Sequence, residues 1–307
     1  MRWYSSTSRL LSSHAGLNNP VDAIAKIVEG FRIAAGLNGP PYDMEIYASY
    51  QGISRIERAE LDCDAELLCS RRLIRVNRLH SPGRQNFSVA HEIVHTLISE
   101  VRAESNDLRC SAIGEHPLQL DQSLRAREEE MLCNHGAAEL LMPMEDFVPR
   151  LRQRGPCMAS VSQLAQCFGA SREALLRRIA SANLWPCAGV VWELCLKPTQ
   201  FAPASPSQLA LPGLEALARP VEKLRVRYAV RSDSFGPWIP RHKSVCEDTS
   251  VFSCFSSGES TKGWDVLDLG GRDALRVYAQ SMPVDLVHDG RVKERRVLTL
   301  LLPDGPA

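Results

Sequence analysis

No C-x-x-C pair occurs in this 307-residue chain, although it contains ten cysteines. Cys63, Cys69, Cys110, Cys133, Cys157, Cys167, Cys187, Cys195, Cys246 and Cys254 are scattered. That spacing argues against a zinc ribbon or a disulfide framework and predicts free thiols, mostly buried, in a reducing compartment. Long apolar runs are missing too. The opening residues, Met1 to Leu11, hold no stretch of secretion-signal type, and no later window is long enough to span a bilayer. A cytoplasmic protein without membrane association is expected. Nor is there an excess of charge: 36 basic residues balance 36 acidic ones, so any binding to nucleic acid or membrane must be local. What remains, 44% hydrophobic and 23% charged residues, is ordinary for a globular chain of two or three units.

One stretch carries chemistry. Phe87 to Ile98 contains the pattern H-E-x-x-H, with Ala90, Val94, Leu97 and Ile98 forming the apolar stripe of a packed helix and Asn86 or Ser88 available to cap it. Four residues make slightly more than one helical turn, so His91 and His95 project from one face and can place two imidazole nitrogens on one zinc ion. Glu92, one residue round, can reach a water at that ion without being a ligand. By chance alone the pattern arises in roughly one unrelated chain of this length in a hundred, so a third ligand is required. The extended metzincin form needs Gly at 98 and His at 101, and the chain has Ile98 and Val101. A carboxylate from a later helix is the remaining source. Glu128, Glu129 and Glu130 compete for that place, with His135 and His116 as outsiders.

Along the chain, residues 1–20 read as a flexible N-terminus, followed by helices over 21–35 and 43–50 and short extended pieces over 54–69. Leu73 to Asn77 is the clearest strand before the His91 helix; it is either an ordinary sheet strand or a sheet edge able to hold an extended peptide by backbone hydrogen bonds. Arg71, Arg72, Arg75, Arg78 and Arg84 form a basic rim around it. Residues 99–122 read as polar loop. Arg127 to Met142 reads as a helix ended by Pro143, with an acidic start and a small apolar end, Ala137 to Met142, that carries at least one carboxylate inward.

Two motifs in this order resemble the ImmA/IrrE family of metallo-endopeptidases. They are Phe87-Ser88-Val89-Ala90-His91-Glu92-x-x-His95 and Glu130-x-x-Cys133-Asn134-x-x-Ala137-Ala138-Glu139-Leu140-Leu141-Met142-Pro143, supported upstream by residues 41–53 and Ile74-Arg75-Val76-Asn77. The family's second motif has Ala where this chain has Cys133 and Phe where it has Gly136. The resemblance, over roughly residues 40–185, places the third ligand on Glu130. It implies Zn2+ held by His91, His95 and Glu130, a water whose pKa falls to about 7, and Glu92 as the general base. Asn134 and Glu139 are expected outside the ligands, Glu139 either holding a ligand histidine or lying at the surface. His116, His135 and Tyr47 stand as guesses for the group that stabilises the oxyanion. It further implies a protein substrate, a helix-turn-helix repressor, cleaved to relieve repression under stress or in a mobile element.

After the motif, residues 160–179 read as helix, tight turn at Gly169, helix capped by Ser171. Six arginines lie in residues 147–182 against the single acid Glu173, so Arg172, Arg177 and Arg178 are candidate phosphate or partner contacts. DNA contact is the less favoured use of such a helix pair, which also serves as a domain support. Residues 197–213 read as a linker. Strands are expected over 190–196, 224–231, 274–279 and 296–302, and Cys246 and Cys254 are candidate redox sensors. Some relatives carry a GAF-type sensor here, but no motif marks one.

The expected fold is α+β: a flexible N-terminus at 1–20, a mainly helical zincin-like peptidase domain with a small sheet at 21–146, a helix-turn-helix-like segment at 147–185, and a β-rich α+β domain at 186–307, sensory or substrate-binding. The functional rival to a peptidase is a DNA-binding or ligand-sensing transcription regulator with a structural or inactive zinc site.

Overall fold

A computed structural model describes residues 3, 5–107, 119–198, 221–269, 274–288 and 291–305. The chain divides into two compact units, Met1–Arg150 with Gln163–Ala174, and Leu151–Ser162 with Leu175–Ala307.

In the first unit, α1 (Ser6–Ala15) starts where the Ser5 hydroxyl accepts the Ser8 amide and stops at Gly16, whose φ of 68° is the left-handed turn glycine tolerates. Asn19 caps α2 (Pro20–Ala34) by accepting from the Val21 amide, and Asp43 caps α3 (Met44–Tyr50) by accepting from Glu45. A three-stranded sheet follows: β1 (Arg55–Ala59), β2 (Ala65–Leu68) and β3 (Leu73–Asn77), in the order β1-β3-β2, β1 parallel and β2 antiparallel to β3. Below it lie two long helices, α4 (Pro82–Asp107) and α5 (Gln119–Leu141). They pack side by side through Ala90, Ile93, Val94, Leu97, Leu132, Ala137 and Leu140, each at most 5% exposed. Their approach is close at Gly136, where a Cβ would stand 2.7 Å from Val94 Cγ1.

Next come α6 (Met144–Arg154), α7 (Met158–Phe168) and α8 (Arg172–Ala182), whose residues are divided between the two units. The α7–α8 turn has Gly169 at φ 61° and Ser171 accepting the Ala174 amide. This turn rests on the start of α4. Asn86 donates to the Gly169 carbonyl at 2.9 Å, and a Cβ on Gly83 would meet the Ala170 carbonyl carbon at 2.4 Å.

The second unit contains an antiparallel sheet of β4 (Ala188–Cys195), β5 (Lys223–Arg231), β6 (Thr261–Leu267), β7 (Leu275–His288) and β8 (Arg291–Leu302), in the order β5-β4-β8-β7-β6. The helix α9 (Ser250–Ser257) packs against β6, β7 and β8. Val190, Trp192, Leu224, Val226, Phe235, Val251, Cys254, Val277 and Leu301 form the core. Its polar groups are matched: the Trp192 indole donates to the Thr299 hydroxyl at 3.0 Å, and Thr299 pairs with Ser281 at 2.9 Å.

The α+β class holds, but several local expectations need correction. Residues 6–15 are not a loose terminus. Leu11 is fully buried, and the polar side of α1 is tied to α5, so a Ser-rich composition conceals a packed helix. The loop expected over 99–122 is helical up to Asp107 and again from Gln119, while residues 108–118, and with them His116 and Cys110, lie outside the described residues. Neither Asn86 nor Ser88 caps α4, which begins at Pro82 with the Ser81 carbonyl accepting its first amides. Most of the linker over 197–213 is also outside the described residues. β6 and α9 were not anticipated. Among the described residues no helix is long and apolar enough to cross a membrane.

Candidate metal centre

The α4–α5 contact brings the candidate ligands together. His91 Nε2 and His95 Nε2 stand 3.1 Å apart on α4. From α5, Glu130 places Oε2 3.2 Å from His91 Nε2 and Oε1 3.4 Å from His95 Nε2. Two nitrogens each about 2.0–2.1 Å from one ion at a tetrahedral angle stand about 3.3 Å apart. The observed spacings therefore suit a single small cation, and the donor set of two imidazoles and a carboxylate suits zinc.

The three competing glutamates have separate partners. Glu128 is buried, 5% exposed, and accepts the Ser5 amide at 2.9 Å and the Ser8 hydroxyl at 2.7 Å, which fastens α1 to α5. Glu129 forms an ion pair with Arg102 and lies 3.5 Å from His95 Nδ1, on the side of the ring away from Glu130. Arg102 also donates to the Thr7 hydroxyl at 2.7 Å. Glu130 is the one that faces the cleft, its side chain 57% exposed.

That cleft, about 380 Å³, contains His91, Glu92, His95 and Glu130, and is bordered by Asp64, Ala65, Phe87, Ser88 and Asn134. Burial raises the Glu92 carboxyl above the usual range, with Glu130 and Glu66 adding to the effect and His95 opposing it. Burial, and then the neighbouring His95, lowers His91. For His95 burial also pulls downward, but the carboxylates of Glu129, Glu92 and Glu130 outweigh it and the net shift is upward. Glu129 is held below the usual range by His95 and Arg102 against its burial. A proton-accepting carboxylate in a partly desolvated cleft beside two imidazoles is suited to moving a proton to and from a bound molecule.

Asn134 hydrogen-bonds His91. Glu139 does something else: its carboxylate accepts the Met144 amide at 3.3 Å at the start of α6. Nine residues beyond Glu130 is about two and a half helical turns, which turns Glu139 to the opposite side of α5. Tyr47 sits fully buried against Phe31 and Tyr42, and His135 is exposed outside the cleft lining, so neither faces the metal position. The strand read as a possible edge, β3, is central; β1 and β2 are the edges, and Ala65 of β2 lines the cleft. Arg172, Arg177 and Arg178 do not form one phosphate-binding face. Arg172 and Arg177 are exposed, with Arg177 stacked over the Tyr228 ring at 4.1 Å, whereas Arg178 is 6% exposed. One neighbour went unnoticed as a donor: Cys133 groups with His91 and His95, their ligand atoms all within 4.8 Å of one another.

Two histidines a turn apart, a glutamate between them, and a carboxylate from a second helix beneath a small mixed sheet give this unit the form of a zincin centre. Residues 51–180 match the family described as IrrE N-terminal-like domain, so this part of the chain is similar to the ImmA/IrrE metallopeptidases. It is 32% identical over 123 residues to the radiation response metalloprotease IrrE of Deinococcus deserti, covering 40% of this chain and 40% of that protein. Against the protein of the same name from Deinococcus radiodurans it is 28% identical over 123 residues, covering 40% of this chain and 34% of the relative. The chain thus spans well under half the length of these relatives. A solved Mycobacterium tuberculosis transcriptional regulator has a similar fold, with a TM-score of 0.57 at 13% identity, covering 96% of this chain and 79% of that one.

Proposed function

We propose that this chain is a zinc-dependent endopeptidase of narrow specificity. The observation that carries the reading is the convergence of His91 Nε2, His95 Nε2 and the Glu130 carboxylate within 3.1–3.4 Å, beside Glu92, in an open cleft. His91, His95 and Glu130 would hold the ion. When bound, zinc supplies Lewis acidity, acidifying a water to a pKa of about 7 and polarising a carbonyl. Glu92 takes the proton of the attacking water and returns it to the leaving amine, and its raised pKa suits both halves of that exchange. Glu129, across the His95 ring, holds that imidazole in its ligating orientation with Nδ1 toward the carboxylate. The unpaired edge of β2, which starts at Ala65 in the cleft, is where an extended substrate strand would lie.

The substrate class we propose is a helix-turn-helix repressor, cut under stress in the cytoplasm. The match of residues 51–180 to the IrrE N-terminal-like domain and the names of the Deinococcus relatives support it. DNA contact by the α7–α8 pair is disfavoured by the burial of Arg178 and by the seating of the turn on α4, so the pair is read as a brace for the metal helix. The five-stranded unit is assigned a sensory or substrate-binding role.

The test is incubation of the zinc-loaded chain with the repressor encoded beside its gene, with a chelator control. A chelator-sensitive cut is expected, slowed about 10²–10⁴-fold in Glu92→Gln. A cut that persists undiminished in Glu92→Gln, or no chelator-sensitive cut at all, would overturn the reading.

A further inference from the structure

We propose that Cys133 is a thiolate ligand to the same metal as His91, His95 and Glu130, so that the site has a resting state closed by its own sulfur. This rests on the metal-site reading above and adds a donor to it. Cys133 is not an isolated thiol: its Sγ and the nitrogens of His91 and His95 all lie within 4.8 Å of one another. In a tetrahedral site, with sulfur about 2.3 Å and nitrogen about 2.0–2.1 Å from zinc, those atoms would stand about 3.5 Å apart. The approach still needed is therefore about 1 Å, within reach of a side-chain adjustment.

The helix makes the placement specific. Cys133 comes three residues after Glu130 on α5, which returns it to the side of the helix that carries the carboxylate. Glu130 reaches the metal position from the open cleft, while Cys133, 0% exposed, reaches it from the core side.

Coordination breaks the S–H bond, forms a sulfur–metal bond and passes the proton through a cleft carboxylate to solvent. No oxidant is involved, and the metal keeps its charge. With two imidazoles, a carboxylate and a thiolate bound, all four positions of a tetrahedral ion are filled and none is left for the water that hydrolysis needs. Displacement of Cys133 opens the site. A thiolate also biases it toward zinc and cobalt and away from oxygen-preferring cations such as magnesium and manganese.

The experiment loads the full chain with cobalt and records its absorption. The wild type is expected to show an intense near-ultraviolet sulfur-to-cobalt charge-transfer band. Cys133→Ser should lose that band while still binding one cobalt, at least about tenfold more weakly. Extended X-ray absorption of the zinc form should show a sulfur neighbour at about 2.3 Å in the wild type and none in the variant. His91→Ala should abolish both signals, which separates this sulfur from the exposed Cys63, Cys69 and Cys246. Cys133→Ala serves if the serine variant does not fold. If cobalt binds through His91 without a sulfur band, the Cys133 assignment falls and the His-His-Glu reading stands. If the wild type takes up no cobalt, both fall.

Discussion

Gly136→Ala and Gly30→Ala form a paired test of how tightly the two ligand-bearing helices are pressed together. Both glycines lie inside helices, α5 and α2, so alanine at either gains about 0.8–1.0 kcal/mol of intrinsic helix propensity. At Gly30 an added Cβ meets nothing within 4 Å, and the gain should stand. At Gly136 the same atom would lie 2.7 Å from Val94 Cγ1, 3.0 Å from Val94 Cγ2 and 3.2 Å from Ile24 Cγ1. Comfortable carbon contacts are about 3.5–4.0 Å. Val94 and Ile24 are both fully buried, and a valine in a helix has essentially one χ1 rotamer, so neither can turn aside. Overpacking of this kind costs about 1–3 kcal/mol, which leaves Gly136→Ala between neutral and about 2 kcal/mol destabilised and separates the pair by about 1–3 kcal/mol. At about 2–4 °C per kcal/mol, thermal melts of the metal-free chain should differ by about 2–12 °C, with Gly30→Ala the higher. Val94 sits between His91 and His95, so Gly136→Ala should also weaken zinc binding while Gly30→Ala should not. A Gly136→Ala chain that melts at or above Gly30→Ala would refute the close approach of α4 and α5.

Glu129→Gln keeps the size of the side chain but removes the charge facing His95 Nδ1 and Arg102. Zinc affinity, measured by competition with a chelating dye, should fall about 10–100-fold, and an unchanged affinity would remove Glu129 from the site. Burial pushes the Cys187 and Cys254 thiols up to about 11. Because these folded values lie above the ordinary thiol range, the stabilisation is complete below about pH 8.5 and is lost as pH rises through 11, about 2–3 kcal/mol for each group. Alkylation mapped by mass spectrometry at pH 8 should therefore mark the exposed Cys63, Cys69 and Cys246 and spare Cys187 and Cys254; equal labelling of Cys187 and Cys246 would contradict the shift.

What could be read from sequence followed the range of the interaction. The His91–His95 helix, the helices α2 and α3 and the α7–α8 turn depend on neighbours a few residues away, and each appears where local pattern put it. The sheet order does not have that property. β3 is the most buried strand of its sheet because it lies between β1 and β2, and the buried Leu-Ile-x-Val pattern that made it conspicuous is what disqualifies it as the edge. β6 hid for the opposite reason. Its large apolar residues Trp264 and Val266 are exposed at 48% and 62%, while Asp265 between them turns inward and accepts from the Ser250 amide and hydroxyl. An alternation read for hydrophobicity alone assigns that strand the wrong face. For α1 the signal was again inverted, since its anchoring contacts to Glu128 are the Ser8 hydroxyl and the Ser5 amide rather than an apolar stripe.

The choice among the three glutamates was closer to the surface of the sequence than it looked. On a helix, Glu128 falls in line with Leu132, Gly136 and Leu140, four residues apart. Leu132 and Leu140 are fully buried. Glu128 was therefore bound for the interior and needed internal donors, which α1 provides. Glu129 lies about 100° round and meets Arg102 and His95 Nδ1, while Glu130, another step on, shares its side of the helix with Asn134, one turn later at the cleft. The phase that puts a carboxylate and Asn134 at the cleft also brings Cys133, one residue nearer the core stripe, beneath the same two imidazoles. A helix that supplies a ligand from its open margin and a thiol from its buried margin can hold a metal in two ways, and which one prevails decides whether the ion keeps a position free for water.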